Sequence, residues 1–177
     1  HKGNYLEFRR YLDQLARLLT EADIRSGAST LTIARSFDEI DRLLHNFVAS
    51  AGTLIDHTRL AARYLPDNLL TEYQRRVNEI SNSGAHNFIR DLRNYMLHVA
   101  IPGSSFTLSG STGQWRFDLN TESLLHYDNL SAGSRQYISA APATGLNVAT
   151  VVDEYMQLVT DLYSWFLHET TVDRSSP

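Results

Sequence analysis

Apolar residues recur at steps of three and four along most of this chain, and at steps of two along one short stretch. Phe8, Leu12, Leu15, Leu19 and Ala22 fall on one side of a helix over residues 4–22, with Arg9, Arg10, Asp13 and Arg17 covering the other side. Gly27-Ala28-Ser29-Thr30 reads as a loop by composition, and Leu31 to Arg35 fits helix or strand. Ser36-Phe37-Asp38-Glu39 matches a capping box, in which the serine oxygen and the glutamate side chain satisfy free amides of a first turn. It predicts a second helix from Ser36, with a core stripe through Phe37, Ile40, Leu44, Phe47, Val48, Ala51 and Ile55. Gly52 is a candidate bend, and Pro66 stops the pattern after Leu65. Asp67 is placed to cap a third helix that buries Leu70, Tyr73, Val77 and Ile80. Ser81-Asn82-Ser83-Gly84 separates it from a fourth, which ends before Pro102-Gly103.

The period then changes. Phe106-Thr107-Leu108 and Trp115-Arg116-Phe117-Asp118-Leu119 alternate apolar with polar around Gly110-Ser111-Thr112-Gly113, the pattern of a β-hairpin. A lone hairpin is marginally stable, so helices must cover its apolar face. Short helical turns are expected over 124–127 and 134–140, a loop over 142–145, and a last helix from about Asn147. Val148, Val152, Tyr155, Val159, Leu162 and Phe166 form the stripe of that helix, backed by Val151, Tyr163 and Trp165, and residues 173–177 read as a frayed tail. The expected architecture is all-α: an antiparallel bundle of four to five helices forming one domain over residues 4–172, with a small β-hairpin inserted at about 105–119. His1-Lys2-Gly3 is set aside as resembling an expression remnant.

The fourth helix carries more information than its neighbours. At roughly 100° per residue, Phe88, Leu92, Tyr95 and Val99 form its core stripe, with Ile89 and Met96 beside them. Arg90, Asn94, Leu97 and Ile101 lie opposite. Arg90, Asn94 and His98 form an i, i+4, i+8 row whose members can touch in sequence. Leu97 and Ile101 are apolar where water is expected, so either a second copy of the chain or the hairpin covers them. Arg93 and His98 are five residues apart, about 140° around one helix, and converge more easily across a two-fold axis than within one chain.

Composition narrows the chemistry. A length of 177 residues suits one domain with a substantial core, and a net charge of −4 excludes bulk attraction to nucleic acid while leaving room for a local basic site. Lys2 is the only lysine, so nearly every cation is arginine, whose planar fork suits phosphate and carboxylate. With no cysteine there is neither a disulfide framework nor a thiolate metal site. The remaining histidines (His45, His57, His86, His126, His168) show no His-x-x-x-His ligand spacing, so neither metal nor cofactor is expected. Asp38, Glu39 and Asp41 read as charges favourable to a helix start, and Asp153, Glu154 and Asp161 as a solvated face. Trp115 and Phe117 could stack on bases, but one face of a hairpin is more often core. No apolar run reaches membrane-spanning length and the start lacks the basic-then-apolar signal pattern, so a cytoplasmic setting without membrane contact is expected.

Arg93-Asn94-Tyr95-Met96-Leu97-His98 resembles the R-x(4–6)-H signature of the HEPN superfamily, including the polar residue that often follows the arginine. The resemblance implies a helical homodimer with a composite cleft that cuts RNA without a metal, in a toxin–antitoxin or defence setting, with an antitoxin or other partner protein. It implies that Arg93 holds the scissile phosphate, that His98 moves a proton, and that Asn94 orients phosphate or histidine; Arg90 would add to substrate binding. Imidazole is suited to proton transfer near neutral pH. Ala100 stands where relatives paired with a nucleotidyltransferase antitoxin carry a modifiable tyrosine, so that mechanism is not carried over. The alternative reading is a non-catalytic HEPN-like domain that binds RNA, nucleotide or protein; a third is a structural bundle in which His98 only caps carbonyls.

Overall fold

The computed structural model describes residues 1–22, 30–108, 115–142 and 145–172. In chain order its elements are α1 (Lys2–Ala22), α2 (Thr30–Ala62), α3 (Asp67–Ser81), α4 (Gly84–His98), β1 (Ser104–Leu108), β2 (Trp115–Leu119), α5 (Thr121–Leu125), α6 (Ala132–Ser139), β3 (Leu146–Asn147) and α7 (Val148–Val172). The mostly helical fold with a small β insertion is as the hydrophobic periodicity requires. Five long helices carry the bundle, and α4 packs against α2, α3, α6 and α7.

The stripes meet in a main core. Phe8, Phe47, Phe88 and Tyr155, from α1, α2, α4 and α7, are all essentially inaccessible to water, each contributing about 1.5–3 kcal/mol by removal from solvent. A second, smaller core gathers Ala62, Tyr73, Ile80 and Leu162 where α3 crosses the far ends of α2 and α7. The two cores adjoin along α2 and α7.

Several local expectations are corrected. Ser36 does not begin a helix: α2 starts at Thr30, and Ser36 lies buried in its interior. An N-cap serine needs extended backbone before the first turn, and here the backbone is already helical from Thr30. Glu39 is then free to hold Arg42, at 2.7 and 2.8 Å. Asp67 is the first residue of α3 and not its cap, which is Pro66; its charge favours the positive end of the helix dipole. Lys2 and Gly3, set aside above, are helical, and His1 packs on Phe47 at 4.9 Å and hydrogen-bonds Ser50 at 2.9 Å. Tyr163 does not back the α7 stripe but is exposed. Gly27-Ala28-Ser29, Gly110 to Gly113 and the tail 173–177 lie outside the described residues.

The hairpin is part of a three-stranded antiparallel sheet in the order β1-β2-β3. Phe106 pairs with Phe117 across the first two strands. The rings of Phe106 and Phe117 meet Phe37 of α2 at 4.7 and 5.9 Å, so a helix does cover the apolar face. Phe117 is therefore core and not a base-stacking surface. Alternation places Asp118 toward water, yet it is fully buried. The strand β3, too short to register as a pattern, pairs Asn147 with Asp118, and Arg116 bonds the carboxylate at 2.8 Å. Gly145, at φ +109°, lets the chain turn tightly over this strand; a Cβ there would lie 2.9 Å from the Leu119 carbonyl oxygen.

Candidate anion-binding cavity

Helix α4 buries Phe88, Ile89, Leu92, Tyr95 and Met96, as its stripe demands. Val99 does not extend that stripe: the helix ends at His98, the backbone departs from helical angles at Val99, and its side chain is 55% exposed. On another face of α4, His86, Arg90 and Arg93 stand at i, i+4 and i+7, a spacing that returns almost to the same direction. All three line a cavity of about 230 Å³ walled by α2, α3, α4 and α7. The cavity lies between the two cores: Val48, Ala51 and Ile89 come from one side, Tyr73, Ile80 and Leu162 from the other.

Each polar group of this cavity has a distinct state. Arg90 donates from Nε to Asp91 at 3.0 Å. Arg59 pairs with Asp56 at 3.3 Å on the surface side. Arg93 has no carboxylate partner among the described residues, and its Nε is buried with no hydrogen bond. The side chain crosses α2 at Gly52, where a Cβ would stand 3.3 Å from both Cζ and Nε. Glycine at that point lets the guanidinium lie against the helix. His86 is 8% exposed, its ring stacks on Tyr155 at 6.0 Å, and its Nδ1 is buried without a partner among the described residues. Burial, and then the nearby Arg90 charge, push its pKa below the ordinary imidazole value, against a smaller opposing effect of Asp91. Neutral imidazole is thus the resting state of His86 at neutral pH. Burial pushes the Tyr155 phenol up, so it stays protonated.

Asp91 is on α4 as well, and it faces away from this cavity. It is buried, and it accepts from the Ser131 backbone amide at 2.8 Å and the Ser134 hydroxyl at 2.7 Å, at the start of α6. Burial alone would raise its pKa. The hydrogen bonds from Ser131 and Ser134, together with Arg90, outweigh that and hold the carboxyl below its usual range.

Of the residues singled out by sequence, Arg90 and Arg93 line the cavity together. Asn94 is half-buried and His98 is exposed in the last turn of α4, and neither lines it. Among the described residues no hydrogen bond links Arg90, Asn94 and His98. Leu97, Val99 and Ile101, at 45, 55 and 50% exposure, surround the helix end and are not covered by the hairpin. His86 and Gly52 were not singled out as site residues. The signal for His86 was present as its i, i+4, i+7 relation to the two arginines; nothing in the sequence marks Gly52 as facing Arg93. Among the described residues no three histidine, aspartate or glutamate side chains come together to hold a metal ion, and no helix is long and apolar enough to cross a membrane.

No protein-family model, curated protein or solved structure matches this chain.

Proposed function

We propose that the chain is an HEPN-like, metal-independent endoribonuclease that acts as a cytoplasmic homodimer in a toxin–antitoxin or defence setting. The observation that carries this reading is that Arg93, the arginine of the Arg-Asn…His pattern, has no carboxylate partner among the described residues and so offers its charge to a phosphate. Arg93 neutralises the scissile phosphate, Arg90 supports it, and Asn94 orients it. The 2′-oxygen attacks phosphorus as the bond to the 5′-oxygen breaks. His98 takes the proton of the 2′-hydroxyl, and a proton is delivered to the leaving oxygen, giving a 2′,3′-cyclic phosphate and a 5′-hydroxyl end. The exposed Leu97, Val99 and Ile101 beside His98 suit a contact with a second copy, which would bring its own His98 toward this Arg93.

One observation favours a second reading, a non-catalytic RNA- or nucleotide-binding domain: within one chain His98 does not line the cavity that Arg93 does. A labelled single-stranded RNA incubated with protein in excess EDTA separates the two. Cutting with a cyclic phosphate end, slowed about 10²–10⁴-fold in His98→Ala and at least as much in Arg93→Ala, supports the nuclease. Wild-type rates in both variants would remove the site. Binding without cutting, weakened by Arg93→Ala but not by His98→Ala, establishes the second reading.

A further inference from the structure

We propose that the cavity between α2, α3, α4 and α7 binds a small organic carboxylate, with the oxyanion at Arg93 and Arg90 and an apolar body between the two cores. The inference does not depend on RNA cutting, because it needs only the cavity of a single chain. Three features point to a ligand. Two residues that line the cavity, Arg93 and His86, each carry a buried nitrogen, Nε and Nδ1, that has no hydrogen-bond partner among the described residues. Buried polar atoms are ordinarily satisfied, an unsatisfied one costs about 1–3 kcal/mol, and two of the six such atoms among the described residues belong to residues of this one cavity. His86 is itself more than nine-tenths buried, so solvent at the surface does not supply it.

Charge selects the kind of anion. Arg59, Arg90 and Arg93 face the cavity, but Asp56 and Asp91 already compensate the first two. One positive charge is left over, and its complement is a monoanion. The guanidinium fork matches a carboxylate geometrically. Neutral His86 adds one hydrogen bond, donated to the carboxylate in the tautomer that carries its proton on Nδ1, and no second charge.

The walls select the body. Val48, Ala51, Ile89, Val159 and Leu162 offer the carboxylate's chain an apolar lining. At about 230 Å³ the space falls below the roughly 300–1,000 Å³ of drug-sized sites. It suits one ring or a short chain.

The test is calorimetric titration of the full chain with 3-phenylpropionate, its neutral amide, phenyl phosphate and inorganic phosphate. Saturable one-to-one binding of 3-phenylpropionate, at least tenfold tighter than the amide and both phosphates, supports the assignment. So does a tenfold or greater loss in Arg93→Gln, with Arg75→Gln on the exposed side of α3 unchanged. Arg93→Met serves as a second variant, each being checked for a wild-type melting curve. The proposal is overturned if the amide binds as well as the acid, if either phosphate binds as tightly, if folded Arg93 variants keep wild-type affinity, or if 3-phenylpropionate shows no saturation at millimolar concentration.

Discussion

Asp91 and Arg93 are two residues apart on one helix, and the fold treats their charges in opposite ways. Asp91 is buried with three donors around it, from Ser131, Ser134 and Arg90. It fastens α6 to α4 and leaves nothing for a ligand. Arg93 is half-buried with an unpartnered Nε, lies across Gly52, and looks into a cavity. The two faces show what distinguishes a structural charge from one held in reserve. The protein supplies donors to both Asp91 oxygens, whereas it supplies no acceptor to Arg93 Nε among the described residues.

The largest effect expected from breaking this contrast is at Asp91. Asp91→Ala strips the half-buried Ser131 amide and the buried Ser134 hydroxyl of their carboxylate acceptor, and should destabilise the fold by about 3 kcal/mol. Arg93→Met keeps the stem and removes an unpaired charge, so stability should stay within about 1 kcal/mol of wild type or rise. Urea denaturation of both variants measures the difference directly. Equal losses in the two would mean that Arg93 is as structural as Asp91.

Asp41 on α2 extends the comparison to an unpaired carboxylate. It does not line the cavity, and its Oδ1 is buried without a partner among the described residues. Burial, reinforced by the Asp38 charge, raises its pKa to about 6. The folded value lies above the unfolded one, so its contribution is fully present below about pH 4 and is lost as pH rises through 6. Asp41→Asn should therefore stabilise the protein by about 1–3 kcal/mol at pH 8 and leave it nearly unchanged at pH 4. Melting curves across that range check it. A penalty at pH 8 would mean that the charge has a partner in solution.

The contrast between these faces was only partly legible in the sequence. Core stripes were readable because periodicity reports burial, and Phe8, Phe47, Phe88 and Tyr155 all lie where the pattern places them. Arg93 and Arg90 were readable as candidates because arginine on an apolar helix is conspicuous. The row through Asn94 and His98 had the right spacing, but helix spacing says which side chains align and not which other helices face them. Only the approach of α2 and α3 selects His86 over Asn94 as the companion of Arg93. Ser36 failed for a related reason. A capping box is a local motif, and the helix begins upstream of it, at Thr30.

Gly52 provides the smallest expected change in stability and the most direct test of that tertiary placement. Glycine inside a helix costs about 1 kcal/mol relative to alanine, so Gly52→Ala should gain up to about 1 kcal/mol from α2 alone. The new Cβ would stand 3.3 Å from Arg93 Cζ and Nε, tighter than ordinary contact by a few tenths of an ångström. Arg93 is a flexible side chain and can yield, so the clash should consume only part of the gain. The guanidinium would nevertheless leave its present position against α2. A melting temperature equal to or above wild type, together with weaker binding of 3-phenylpropionate, is the expected pair of results. Unchanged affinity in a stabilised Gly52→Ala protein would show that Arg93 does not need the glycine to reach its anion. The alanine's absence would then be a matter of helix geometry and not of the site.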